Sequence, residues 1–532
     1  MKIQFLVLFI TLLFVKPGHT QVCPIIPLPE TAIAKPGYFI ISKHTPVLIN
    51  DPSLRRHAAF LQNEVLKTKG VALAFQDQAN APAIKLVLSG KNSSSEAYKL
   101  SIEPSEIKII SSGEKGIFYG INSLIQLIRQ LPGSEPFAIS GWEITDKPAL
   151  AWRGIMLDES RHFFGKETVK EMLDWMAFYK LNKFHWHLTD APGWRLEIKK
   201  YPKLTLVGGI GNHTDSLAPA KYYTQEDIKE IVAYAAERYI TVIPEIDMPG
   251  HARSANMAYP EYSGGGTAKY PEFTFNPGKE KTYSYLTDIL REVNVLFPSG
   301  MIHLGGDEVS FGSKNWERDS GVKQLMQKND LKNLKEVEDY FVRRMADTVF
   351  QMNNKVLLWD EAATGDLPSD KTIIFWWRHD RPEQLKMALD KGYSVVLCPR
   401  VPFYFDFIQD TTQRVGRIWK GAIADLRKVY DYMPEQESVI GKRGDQILGV
   451  QANLWTENLS TVPHLQYMLF PRIGAFAESA WSAPGKKDYT GFLERLKPQL
   501  ELYKQDKIYY YNPFNPAVTP EPLPPGKITI NR

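Results

Sequence analysis

From residue 152 onward the chain alternates short apolar runs, polar loops and amphipathic stretches, a texture that predicts an α/β domain. Eight apolar runs read as strands: Trp152–Leu157, Lys183–Leu188, Ile240–Ile246, Met301–Leu304, Lys355–Trp359, Thr372–Trp377, Ser394–Leu397 and Ile447–Leu454. Helical periodicity at Glu167–Tyr179, Gln225–Glu237, Lys281–Leu296 and Lys335–Gln351 separates the earlier ones, so successive strands should run parallel through right-handed crossovers. Eight such repeats favour a closed (β/α)8 TIM barrel over an open sheet. The interval from Pro399 to Gln446 is long for one connection, and connections of that length in a compact domain usually carry function.

Ahead of the barrel the pattern is different. Short β-type runs at Phe39–Ile41, Ile84–Leu88, Tyr98–Ile102 and Ile107–Ile110 mix with amphipathic stretches at Leu54–Lys67 and Ile117–Gln130, which predicts a small α+β domain over 21–148. It carries no catalytic constellation and reads as a packing or spacer domain, with Asn92–Ser95 as a loop tip. The catalytic barrel is expected over 149–485. Helical patterns at Leu465–Glu478 and Phe492–Tyr503 would close the fold before a Pro-rich, extended tail from Pro513, within a C-terminal segment 486–532.

Met1-Lys2 followed by the apolar run Phe5–Val15 reads as a signal peptide over 1–20, cut near Thr20-Gln21. The run is too short to cross a bilayer, which takes about 20 residues. The expected location is therefore secreted or periplasmic. Lipid anchoring at Cys23 is less favoured, because Thr20-Gln21-Val22 lacks the small residues of a lipobox. Cys23 and Cys398 are the only cysteines; pairing is open to them in an oxidising compartment, but one lies in a tail and one in an apolar run, so buried thiols are the preferred reading. The length of 532 residues suits a large domain with a companion. A net charge of +4 without a long basic tract argues against nucleic acid as a partner, whereas 12 Trp and 25 Tyr supply flat side chains that can stack on sugars.

Enzymes on closed parallel barrels assemble their sites at the C-terminal ends of the strands. Here those ends read Leu157–His162, His187–Asp190, Pro244–His251, His303–Glu308, Leu358–Glu361, Trp376–Arg378, Tyr404–Asp406 and Asn453–Glu457, all rich in acids and aromatics. A single strand-end Asp more often caps a helix than catalyses, but eight ends with the same chemistry argue for one polar pocket.

Several of these motifs, in this order, resemble glycoside hydrolase family 20, the β-N-acetylhexosaminidases and related exo-enzymes. The resemblance covers about Trp152 to Trp481. Its most specific element is His303-Leu304-Gly305-Gly306-Asp307-Glu308, supported by Trp152-Arg153-Gly154 with Asp158 and Ser160-Arg161-His162, by Asp190–Arg195, and by Pro244–His251. The preceding region, through Gly116–Gly120 and the helix after it, is similar to the non-catalytic domain that often precedes this barrel.

Two-carboxylate glycosidases place their pair across the scissile bond. Consecutive residues such as Asp307 and Glu308 leave the backbone in different directions and do not readily face each other across a sugar. The resemblance implies an alternative in which the substrate's 2-acetamido oxygen attacks C1. Glu308 would then be general acid and base, and Asp307 would accept the acetamide N–H. The same resemblance implies that Tyr404 donates to the acetamide oxygen and that Trp359, Trp377 and Trp455 wall the pocket. Trp377 is preferred to Trp376 because strand alternation sends them to opposite faces. Arg153 would bind the 3- and 4-hydroxyls, Asp406 and Glu457 the 4- and 6-hydroxyls, and His251 with Asp190 would orient Glu308. A blander reading makes Arg153 half of a salt bridge with Asp158 or Glu457.

The expected function is exo-hydrolysis of terminal N-acetylglucosamine or N-acetylgalactosamine from an oligosaccharide or glycoconjugate, with no cofactor and no metal. His185 and His187, two apart on a strand, would suit a metal pair, but barrel packing accounts for them. An inactive amino-sugar-binding barrel and a metal-dependent amino-sugar deacetylase are the competing readings.

Overall fold

The computed structural model describes residues 22–78, 82–90, 92 and 94–523. The signal-peptide reading of 1–20 lies outside the described residues. Among those described, no helix is long and apolar enough to cross a membrane.

The first unit is a seven-stranded mixed sheet, in spatial order Thr31–Ile41, Phe137–Asp146, Tyr98–Glu103, Glu106–Ser111, Ala83–Leu88, Pro46–Ile49 and Ala74–Phe75. The outermost strand is mostly exposed, so it lacks the apolar alternation that marks a half-buried strand in a sequence. Its register with Phe137–Asp146 breaks between Lys35 and Tyr38. Gly37 sits there at φ +90°, where a Cβ would stand 2.7 Å from the Pro104 ring, so only glycine fits the bulge. Helix Glu114–Arg129 is buried along nearly its whole length, wedged between this sheet and the barrel helix Lys166–Phe178. The Gln126 amide ties the layers together, donating to the Phe178 carbonyl at 3.0 Å and pairing with both backbone groups of Ile26.

The second unit is a closed parallel barrel of Trp152–Asp158, Lys183–His187, Thr241–Glu245, Met301–His303, Lys355–Trp359, Thr372–Trp376, Ser394–Leu397 and Ile447–Leu454. All eight predicted strands are present, within a residue or two at their ends. The last strand closes on the first through a continuous register from Gly449↔Trp152 to Leu454↔Leu157. Alternation splits the apolar residues into two cores: Trp152, Met156, Ile243, Leu357, Trp359, Phe375 and Val396 fill the barrel, while Ile155, Leu157, Leu358, Ile374 and Trp376 pack outward under the helices. The predicted helix at Leu465–Glu478 is two, Val462–Leu469 and Arg472–Trp481, because Pro471 cannot continue the first.

The two units meet over buried charge. Lys180 and Asp146, both fully buried, pair at 2.9 Å, and Asp146 also accepts from Tyr98 and Trp481. Arg153 belongs to the same junction, which corrects its expected role. As the second residue of the first barrel strand it shares the outward parity of Ile155 and Leu157, and it sits at the end of the strand remote from the pocket. Its guanidinium is fully buried and bonds to Glu96 at 3.1 and 3.3 Å, to Tyr119 and to the carbonyls of Leu150 and Lys180, with the Trp481 ring 4.9 Å away. Every donor direction is used by the domain interface. Nor is it the partner of Asp158 or Glu457: those carboxylates face another arginine, described below. Cys23 and Cys398 are both buried free thiols.

Candidate active site

The strand Met301–His303 ends in a turn that the two glycines make possible. Gly305 (φ +69°) and Gly306 (φ +88°) are left-handed, and a Cβ on Gly305 would lie 1.9 Å from Asp247 Oδ1. The Gly306 N–H donates to that same oxygen at 3.3 Å. Glu308 follows at φ +49°, a left-handed position uncommon for a residue with a side chain, and strain of this kind gathers at functional sites. The turn delivers Asp307 mostly buried and Glu308 about one-third exposed to one imidazole: His251 Nε2 is 3.5 Å from Asp307 Oδ2 and 3.6 Å from Glu308 Oε2.

His251 is held from behind. Its Nδ1 is 3.0 Å from Asp190 Oδ1, and Asp190 in turn meets Arg161 at 2.7 Å and His187 Nε2 at 3.0 Å. Burial works against an ionised Asp190, but the charges of Arg161 and His251 and the bond from His187 outweigh it and hold its pKa well below the usual carboxylate range. The same pairing acts on His251. Burial opposes its charged form, yet Asp190 and Asp307 raise its pKa well above that of an ordinary imidazole. The chain continues inward, since His187 Nδ1 is 2.5 Å from Glu245 Oε2 and the Trp359 indole donates to Glu245 Oε1 at 2.8 Å.

His185 and His187 do share a strand face, and both point at Glu245, with His303 3.2 Å from its other oxygen. Among the described residues, ligand-type atoms of His185, Glu245 and His303 converge, as do those of Asp190, Asp247 and His251, of His251, Asp307 and Glu308, and of Glu245, Asp247 and Asp307. His185, His187, Glu245 and His303 are fully buried; burial opposes an ionised Glu245, but the surrounding histidines, His187 foremost, outweigh it and hold its pKa well below the usual carboxylate range, while burial lowers His185 to about 4. The cluster reads as the floor of the polar network.

Beside Asp307 stands an aromatic wall. Trp359 and Trp455 lie 6.0 Å apart by ring centroid, Tyr404 is 6.1 Å from Trp455, and Trp377 lies nearly parallel to Tyr404 at 6.2 Å. Trp377 faces this group while Trp376 is buried in the outer core, as alternation required. Glu361 receives the Trp377 N–H at 3.0 Å and pairs with Arg378 at 3.4 Å. Burial pushes the Asp307 carboxyl up to about 7; His251 pulls against this, and the charges of Glu308 and Glu361 add to it.

At the far end of the pocket Asp406 and Glu457 come together with two arginines. Arg161 lies 4.0 Å from Glu457 and 3.4 Å from Asp158, its charge 4.9 Å above the Trp455 ring. Arg161, and not Arg153, is thus the arginine near the first strand that reaches the mouth and its acids. Arg417, from the long connection before the last strand, meets Glu457 at 2.5 Å and Asp406 at 3.0 Å. Sequence reasoning missed Arg417 because nothing in an irregular loop marks side-chain direction. Arg161 had a usable signal in its position three residues after Asp158, at a strand end.

Of the expected site residues, the structure gathers Asp307, Glu308, His251, Asp190, Trp359, Trp377, Tyr404, Trp455, Asp406 and Glu457 at one barrel mouth and excludes Arg153.

Comparison with known proteins agrees with this layout. Residues 150–484 match the family described as "Glycosyl hydrolase family 20, catalytic domain", and residues 22–147 match "Glycosyl hydrolase family 20, domain 2". The chain belongs to glycosyl hydrolase family 20. It is 33% identical over 515 residues to a β-hexosaminidase of Porphyromonas gingivalis, a match covering 93% of this chain and 65% of that relative, just under two thirds of its length. Among solved structures it resembles the exo-β-N-acetylglucosaminidase of Vibrio harveyi in complex with N-acetylglucosamine (TM-score 0.84, 29% identity, 93% of this chain and 79% of that one). It also resembles the β-N-acetylhexosaminidase of Bacteroides fragilis (TM-score 0.80, 30% identity, 91% and 96%).

Proposed function

We propose that the protein is an exported, exo-acting β-N-acetylhexosaminidase that removes terminal N-acetylglucosamine or N-acetylgalactosamine with retention of configuration. The observation that carries this reading is the sharing of one imidazole nitrogen by Asp307 and Glu308. Two carboxyls fastened to the same side of a pocket are poorly placed to attack and protonate from opposite faces of C1. A nucleophile supplied by the substrate resolves this, and an acetamide is what a buried carboxylate beside Trp359, Trp377, Tyr404 and Trp455 suits.

In the first step the acetamide oxygen bonds to C1 while the bond from C1 to the leaving oxygen breaks, and Glu308 gives that oxygen its proton. Asp307 accepts the acetamide N–H and opposes the positive charge that develops on the oxazolinium ring. In the second step a water adds to C1 as its proton passes to Glu308, and the acetamide re-forms. Arg161, Asp406 and Glu457 hold the hydroxyls of the terminal sugar, and recognition of that non-reducing end is what supports the exo-acting reading.

The test is NMR of the earliest product from an aryl N-acetyl-β-glucosaminide, run with EDTA. Two inversions at C1 predict release of the β anomer at an unchanged rate; the α anomer first would remove the substrate-assisted mechanism, and loss of activity to the chelator would favour a metal enzyme.

A further inference from the structure

We propose that Arg417 is a specificity-determining residue, donating to the 4- or 6-hydroxyl of the terminal sugar from which Asp406 and Glu457 accept; this rests on the N-acetylhexosaminidase reading of the pocket.

Arg417 is built into place. Its N–H donates to the Asp406 carbonyl at 2.9 Å, and its own carbonyl accepts from Ile408 N at 3.1 Å. The preceding Gly416 has φ +139°, and a Cβ there would stand 2.9 Å from the Asp406 carbonyl and 2.7 Å from Ile408 Cγ2. Only glycine lets the two backbones approach this closely. The arginine is thereby fastened to the residue whose carboxylate it serves.

The polar bookkeeping at this end is incomplete in an informative way. Arg417 Nη2 bonds Glu457 Oε1, but Arg417 Nε, although 3.0 Å from Asp406 Oδ2, makes no hydrogen bond to it. Both oxygens of Asp406, Glu457 Oε2 and Arg417 Nε are shielded from solvent and make no hydrogen bond, Asp406 and Arg417 being joined only as an ion pair. Buried polar atoms are rarely left unpaired unless something arrives to pair them. One free donor beside three free acceptors is the set that a hydroxyl satisfies, since it both gives and takes a hydrogen bond. The rest of the Arg417 side chain remains 41% exposed, open to an incoming sugar.

Charge gives Arg417 a second effect on the same contact. Burial pushes Asp406 up to about 7, with Arg417 pulling it down and Glu457 pushing it up. Without Arg417 the two acids would face each other with Arg161 as the remaining cation beside Glu457, and Asp406 would hold its proton to higher pH.

The experiment compares wild type with Arg417→Met and Arg417→Lys on an aryl N-acetyl-β-glucosaminide and on its 4-deoxy and 6-deoxy analogues. A charged hydrogen bond to a hydroxyl predicts that Arg417→Met lowers kcat/KM on the parent sugar about 10- to 100-fold, mainly through KM. The penalty for at least one deoxy analogue should shrink in that variant by a similar factor, because the lost hydroxyl no longer leaves the arginine unpaired. Arg417→Lys, which keeps charge without the fork, carries the test should the Met variant fail to fold. Deoxy penalties equal in wild type and variant would show that Arg417 only clamps the acids and would overturn the proposal. A wild type that fails to cleave the parent sugar would instead overturn the functional reading on which it rests.

Discussion

Asp190 and His251 are joined at 3.0 Å through Oδ1 and Nδ1, and this bond aims the other imidazole nitrogen at Glu308. Because the Asp190 charge is a main support of the charged His251, Asp190→Asn should lower the His251 pKa. A group with a raised pKa keeps its proton until pH climbs through that value, so the His251 ring, followed by NMR, should lose its proton at lower pH in the variant than in wild type. Turnover should fall about 10- to 100-fold, less than the 10²–10⁴ that removal of a general acid itself costs. A variant whose His251 ring titrates as in wild type would reduce Asp190 to packing.

The acidic side of the pH profile belongs to Asp307 on this reading, since only its ionised form opposes the oxazolinium charge while accepting the acetamide N–H. The charge of Glu361 helps to hold Asp307 high. Glu361→Gln preserves a partner for the Trp377 indole while removing that charge, so the acid limb of kcat/KM should move to lower pH. The measurement is a pH series on the free-enzyme parameter kcat/KM, with wild type alongside. Movement in the other direction, or none, would separate Asp307 from the acid limb.

Placement of Arg153 in the domain junction has its own consequence. Glu96→Ala leaves a fully buried guanidinium without its carboxylate, and breaking a buried pair costs about 3–5 kcal/mol, toward the lower end here because Glu96 is 18% exposed. Burial opposes ionisation of Glu96, but Arg153 outweighs it and holds the pKa below the ordinary value. A depressed carboxylate contributes its stability above the unfolded pKa and loses it as pH falls through the folded one. The melting-temperature gap between wild type and Glu96→Ala should therefore be full at neutral pH and narrow in acid. KM of the folded variant should stay near wild type; a large rise would return Arg153 to the sugar.

Much of this is legible in the sequence, and the reason is periodicity. A barrel strand declares itself by its apolar run, its end declares the mouth, and parity then sorts Trp377 from Trp376. The same parity argument, applied to Trp152-Arg153-Gly154, sends Arg153 outward. The chemistry of that motif points to a sugar, but its position at the N-terminal end of the strand, away from the mouth, decides against it. Arg417 is a different kind of omission. It reaches the pocket because Gly416 lets an irregular loop fold against Asp406, and no period in the sequence carries that information. Of the strand Thr31–Ile41 only Phe39–Ile41, where Phe39 and Ile41 are buried, shows in the sequence; the rest lies exposed at the edge of its sheet and carries no apolar alternation.

The sharpest test concerns Asp307, because its proposed partner is the substrate's own nucleophile and not the leaving group. Asp307→Ala should misplace the acetamide and leave the oxazolinium charge unopposed, a loss of about 10²–10³ in turnover with a smaller change in ground-state binding. A thiazoline that mimics the cyclised intermediate reports on this contact alone, since it carries the ring and no leaving group for Glu308 to protonate. It should inhibit wild type strongly and the Ala variant weakly, with circular dichroism confirming the fold of both. Glu308→Gln supplies the contrast: it lacks the acid but retains the carboxylate that faces the ring, so its affinity for the thiazoline should fall far less. If the Ala variant binds the mimic as tightly as wild type does, Asp307 does not touch the acetamide. The shared imidazole of His251 would then require another explanation.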